Sequence, residues 1–119
     1  MSAVIRIDKN KDLVRWPDFE ADVTSDNPIH AGSLVFEYAI QGEASVRSGV
    51  WQCDPCTLKV SQTTNEICVL IEGVASITDE KTGRIERFEA GEGFLLCKGS
   101  NIVWAIEKAI KKYYITIAD

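Results

Sequence analysis

The chain has 119 residues, 45% hydrophobic and 26% charged, with a net charge of -5, which is the composition of one ordinary globular domain. That acidity disfavours nucleic acid, whose phosphates select a basic face, and it equally disfavours an anionic membrane surface. No apolar run approaches the ~20 residues that span a bilayer, and Met1 to Asp8 carry no basic stretch followed by an apolar core, so the expected compartment is the cytoplasm and the four cysteines are expected as thiols.

Short β-branched and aromatic runs divided by Gly, Asn, Asp and Pro predict an all-β chain without internal repeats. Val4 to Ile7 alternates as an edge strand would. Leu13 to Pro28 is irregular, with a turn at Ser25-Asp-Asn-Pro28, and His30 reads as a solvated loop residue. Strands are expected over Ser33 to Ile40, Val46 to Cys53 and Leu58 to Gln62. A long strand from Glu66 to Ile77 bends at Gly73. Asp79 to Gly83 forms a hairpin turn, and Arg84 to Phe88 returns from it. Phe94 to Cys97, Ile102 to Glu107 and Tyr113 to Ile117 complete the series, with a helical turn allowed between Ala105 and Lys112. Many short strands at even spacing give a sandwich or a closed jelly roll.

Two blocks narrow that choice. Glu66 precedes Gly73 with six residues between, and Gly91-Glu-Gly-Phe-Leu-Leu-Cys-Lys-Gly99 is followed by Asn101-Ile-Val-Trp104. The spacing resembles the two signature blocks of a cupin, a double-stranded β-helix (jelly-roll barrel). Gly49-Val-Trp51-Gln-Cys53, Phe88-Glu-Ala-Gly91-Glu92, Trp104 and the Lys112-Tyr-Tyr ending are similar to the subfamily of ureidoglycine aminohydrolase-like and ethanolamine-utilisation accessory cupins. The resemblance covers about residues 49–117. It implies a barrel core over residues 46–119, with the N-terminal strands of residues 1–45 packed on it or exchanged with a partner.

The resemblance also implies where metal-binding histidines would stand, and this chain has none there. The first-block positions fall on Val60 and Gln62, or on Lys59 and Ser61 at the longer spacing, and the second-block position is Ile102. Only Glu66 keeps a ligand type, with Gln62 a weak oxygen donor. A first-row metal in a catalytic site needs three converging protein ligands, so no metal and no cofactor is expected. Cys53-Asp-Pro-Cys56 lies between strands without a second ligand pair beyond Cys68 and Cys97, and reads as an incidental turn.

Trp104 shares strand parity with Ile102 and points inward with it. Trp51 is expected to face the first block. Both belong to the core or to an aromatic wall for a small ligand, with Gln62 and Glu66 as its polar contacts. Two readings of Glu66 stay open: a buried carboxyl with a raised pKa, able to act as acid or base, or a carboxylate pinned by the indole of Trp104 or by Tyr38. The run Glu107 to Lys112 reads as solvated charge, and the resemblance implies for Lys112, at its end, a structural pairing with a glutamate near the barrel mouth. The expected function is a metal-free cupin binding a small organic molecule through Trp51, Gln62, Glu66 and Trp104. The alternatives are a metal-dependent enzyme resembling ureidoglycine aminohydrolase, and a non-catalytic accessory or dimerisation domain. A homodimer is expected, because open edge strands invite pairing and Val4 to Ile7 offers one to a partner.

Overall fold

The computed structural model describes residues 3–24, 26–40 and 43–118, and these form eight strands and no helix. They are β1 (Val14–Arg15), β2 (His30–Ile40), β3 (Glu43–Cys53), β4 (Cys56–Ser61), β5 (Asn65–Asp79), β6 (Ile85–Glu89), β7 (Gly93–Leu96) and β8 (Asn101–Ile117). All belong to one antiparallel sheet ordered β1-β2-β3-β8-β5-β6, with β4 also paired to β8 and β7 to β5. The sheet curls on itself into a jelly-roll barrel, with β5 and β8 each paired along both edges.

Two long strands carry the architecture. β5 and β8 pair from Asn65↔Ile117 to Asp79↔Ile102, with register shifts between Leu70 and Ala75. Gly73 sits in that irregular stretch at φ 90°, and a Cβ there would stand 2.3 Å from the carbonyl oxygen of Ala109. Only glycine permits both the left-handed backbone and that approach, so the sheet turns its corner here. Beyond the corner each long strand changes neighbours. The second half of β8 runs beside β3, with Val46↔Ile117 to Cys53↔Ile110 in register, and its first half runs beside β4. β5 takes β7 along its first half and β6 along its second.

Period-two alternation then sorts the side chains. Cys68, Leu70, Ala75, Ile77, Ile102, Trp104, Ile106 and Ile110 turn inward and are buried together with Trp51, Leu58 and Leu96. Trp104 and Ile102 therefore do share the inner face. The glycine bend, the hairpin after Asp79 and the strands from His30 onward stand where the residue pattern put them, within a few residues at each end.

Three expectations fail. Val4 to Ile7 is not a strand; its alternation finds no neighbour to hydrogen-bond with, and strand propensity without a ladder does not make a strand. No helical turn forms between Ala105 and Lys112, because β8 runs unbroken through them and its backbone bonds go to β3, β4 and β5. His30 opens β2 and is buried instead of lying in a solvated loop. Of the expected turn before it, Ser25 lies outside the described residues, while Asp26 accepts a hydrogen bond from the Thr57 N–H at 3.0 Å.

The segment before β2 crosses the open end of the barrel as a strap. Trp16 N–H donates to the His30 carbonyl at 2.9 Å, on the β2 side. Lys59 N–H donates to the Val23 carbonyl at 2.8 Å, on the β4 side. Between these ties Trp16 and Phe19 pack against the core. Gly32 makes room for the strap: a Cβ there would come within 2.3 Å of the Trp16 ring.

Candidate functional site

Under the strap lies a cavity of about 440 Å³, inside the range of small-molecule sites. Trp51, Gln62, Glu66 and Trp104 all line it, so the four candidate residues do meet in one place. Arg47, His30, Tyr114 and Thr116 line it as well without having been expected there, and so does Lys112, expected only as the partner of a glutamate near the mouth.

Register explains the polar side. Across β3, β8 and β5 the inward residues stand in rows: Arg47–Thr116–Glu66, then Gly49–Tyr114–Cys68, then Trp51–Lys112–Leu70. Gly49 matters in the second row, since a Cβ there would press within 1.9 Å of the Ser33 carbonyl and 2.9 Å of the Tyr114 hydroxyl. Without it the hydroxyl could not reach across β3 to donate to the Ser33 carbonyl at 3.2 Å.

Lys112 is the centre of the site. Its side chain is buried, and the Nζ donates to Glu66 Oε2 and to Cys68 Sγ at 3.4 Å. The same nitrogen stands 5.2 Å from the ring centre of Trp51 and 5.0 Å from that of Trp104, both within cation–π reach. The Cys68 thiol donates to Glu66 Oε2 at 2.9 Å, while the Gln62 amide, whose Nε2 donates to the Thr64 carbonyl at 3.2 Å, lies near enough to favour the ionised carboxylate. Burial alone would push the Glu66 carboxyl up, but the Lys112 charge, the bonds from Cys68 and Lys112 and the Gln62 amide outweigh it and hold the pKa below its ordinary value. Burial would likewise push Lys112 down, and Cys68 and Glu66 outweigh it in the other direction. Burial pushes Cys68 up to about 12, so at neutral pH it is a thiol and Glu66 is the charged partner of Lys112. The pairing expected of Lys112 is thus present, and the raised Glu66 pKa is not. Glu66 is held neither by Trp104 nor by Tyr38, whose side chain is exposed. A carboxylate already engaged by an ammonium and a thiol is a weaker base than a free one.

The opposite wall is neutral and aromatic. Trp51 Nε1–H donates to His30 Nδ1 at 3.1 Å. His30 Nδ1 is therefore the acceptor, its proton sits on Nε2, and Nε2–H donates to the Pro17 carbonyl at 2.8 Å. Phe19 stacks on the imidazole at 3.9 Å and Trp16 meets it edge-on at 5.7 Å. Ring contacts continue from His30 through Trp51, Trp104 and Phe94 to Phe88. The signal that would have found His30 was Trp16 and Phe19: two aromatics in an irregular segment need something to pack on.

The donor set does not suit the metal of a typical cupin. Val60 and Ile102, at two ligand positions, offer no donor, and the remaining carboxylate already carries an ammonium. Among the described residues no three His, Cys, Asp or Glu side chains converge. Cys53 and Cys56 are free thiols with their sulfurs 3.8 Å apart, both pushed up by burial first; Cys56 raises Cys53 further, whereas the bond to Cys53 lowers Cys56 against the raising effect of Asp26 and Asp54, and neither lines the cavity. Among the described residues no helix is long and apolar enough to cross a membrane.

Solved structures with this architecture include a protein of unknown function of the DUF861 family from Pseudomonas syringae, 20% identical, with a TM-score of 0.80 over 92% of this chain. This chain spans about half, 46%, of that protein. The EutQ protein of Clostridium difficile is 19% identical with a TM-score of 0.67, covering 92% of this chain and 97% of its own. A putative ethanolamine utilization protein Q from Salmonella typhimurium is also 19% identical, with a TM-score of 0.64 over 86% of this chain and 77% of its own. At such identities these likenesses carry the fold alone. No curated protein matches the chain. Residues 40–114 match the EutQ-like cupin domain, and the chain belongs to that family.

Proposed function

We propose that this cupin binds a small organic molecule in the barrel lumen, in the cytoplasm, without a metal and without catalysing a reaction there. The observation that carries the reading is the roofed cavity of about 440 Å³ with two indoles on its wall and its buried charges already paired. A site built for metal catalysis keeps an open coordination position; here Lys112 occupies the carboxylate. The lining supports binding better than chemistry, since Glu66 is held ionised by Lys112 and both nitrogens of His30 are engaged.

The test fills the lumen. Val60 lines the cavity and is only partly buried, so Val60→Trp blocks the space at modest cost to the core. In a fragment screen followed by tryptophan fluorescence, wild-type protein stripped of metal by chelation takes up ligands and Val60→Trp does not. Equal uptake by both proteins, or ligand binding lost on chelation and restored by one equivalent of metal, sinks the reading and moves the enzyme alternative ahead.

A second copy of the chain is the proposed partner, and a specific surface favours it. Ile67, Leu95 and Ile115 face outward in one row across β5, β7 and β8, with Val69 and Ile117 beside them; all five are 37–56% exposed. A flat apolar sheet face of this kind is self-complementary about a two-fold axis. The N-terminal residues Val4 to Ile7 offer no strand for exchange, so the accessory-domain alternative also rests on this face. Ile67→Lys converts a dimer to monomer in sedimentation at micromolar concentration; a wild-type monomer under those conditions rules the interface out.

A further inference from the structure

The lumen combines a carboxylate with two tryptophan faces, which is the recognition chemistry of an organic cation. That position is already filled, because the chain's own Lys112 ammonium sits between Trp51 and Trp104 and on Glu66. What is left unmatched is positive. Of the two Lys and Arg cations lining the cavity, Lys112 is neutralised within the wall by Glu66. Among the described residues Arg47 at the rim pairs with Glu37, 3.6 Å away, with both side chains well exposed, and solvent leaves an ion pair of that kind weak. Thr116 stands between Arg47 and Glu66 in the same row and adds a hydroxyl donor beside the guanidinium. The rest of the wall is Leu58, Val60, Leu96 and the rings of the strap and of β3 and β8.

Building on the lumen-binding reading, we infer that the ligand class is a small organic carboxylate with a flat apolar body. Its carboxylate lies against the Arg47 guanidinium and the Thr116 hydroxyl, where a fork of N–H donors matches two carboxylate oxygens. Its body lies along Trp51 and Trp104, under Trp16 and Phe19. Lys112 acts here as a built-in cation: it closes the site to amines and leaves the rim to choose an anion.

The experiment compares three probes of one shape and different charge, phenylacetate, phenylacetamide and phenethylamine, by calorimetry and tryptophan fluorescence on the full chain. Phenylacetate is expected to bind at least tenfold tighter than phenylacetamide, and phenethylamine not at all. Arg47→Gln, a rim substitution that leaves the core untouched, erases the acid-over-amide preference, and Arg47→Lys restores part of it. If phenylacetamide or phenethylamine binds as well as phenylacetate while perturbing the tryptophans, the anion assignment is overturned and lumen binding stands. If none of the three perturbs the tryptophans at millimolar concentration, the assignment and the lumen reading fall together.

Discussion

The two sides of the cavity solve one problem in opposite ways. On the β5–β8 side a full charge is buried, and it survives because Glu66 and Lys112 neutralise each other while Cys68, Gln62 and two indoles satisfy what remains. Where Trp51 and His30 meet Trp16 and Phe19 of the strap the lining carries no ion pair, and the imidazole of His30 is held between one donor and one acceptor. The difference teaches where each side is vulnerable. A charged pair fails badly when one member is lost, since the other is stranded in low dielectric. A neutral latch fails by a hydrogen bond or two and by the packing it organises.

The largest effect therefore belongs to the pair. Lys112→Met leaves a buried carboxylate without its cation, and the expected loss is about 3–5 kcal/mol, a fall in melting temperature of the order of 10 °C. Adding Glu66→Gln to Lys112→Met removes the stranded charge and returns much of the loss. Additive losses in the two single variants would show that no coupled pair exists. The pH dependence sharpens the comparison. The folded pKa of Glu66 lies below its ordinary 4.5, so its contribution is present above that value and is lost as pH falls through the folded pKa. Lys112 lies above its ordinary 10.5 and Cys68 rises from 9.0 to about 12, so their contributions are complete below those ordinary values and are lost as pH rises. Chemical denaturation of wild type and the double variant should thus differ by a constant amount across neutral pH, with the gap narrowing below about pH 4.5 and above about pH 10.5, because Cys68 is present in both proteins. A gap that varies between pH 6 and 8 is incompatible with this assignment.

The same contrast explains what could be read in advance. Barrel strands announce themselves through period-two alternation and glycines at corners, so β3, β4, β5 and the Gly73 bend were legible. Glu66 was legible because its spacing to Gly73 is a property of the fold. Lys112 was half legible: its charge run read as solvent-facing, although counting by twos from Ile102, Trp104 and Ile106 through Ile110 puts it on the inner face. The allowance for a helical turn broke that count. Arg47 was missed because only register with Thr116 and Glu66 brings it to the rim. His30 left only an indirect signal, the aromatics Trp16 and Phe19 before it, because its partners are Pro17, Phe19 and Trp51 and no local pattern links this histidine to a strand more than 20 residues on. Tertiary contact alone made it a core residue.

The smaller effect tests that neutral wall. His30→Phe keeps a flat ring for Phe19 and Trp16 to pack on, yet it removes the acceptor of the Trp51 indole and the donor to the Pro17 carbonyl. The Trp51 indole is left unsatisfied where water has little access, at a cost of about 1–3 kcal/mol, while the carbonyl of Pro17, an exposed residue, can turn to water. The strap keeps its backbone ties at Trp16 and Val23, so the fold persists while the roof loosens. The expected readings are a stability loss smaller than that of Lys112→Met, a red-shifted tryptophan emission as Trp51 gains solvent, and faster proteolysis within residues 13–24. If His30→Phe instead costs as much as Lys112→Met, the strap is a part of the core and not a roof over it, and the lumen opens only when the barrel itself does.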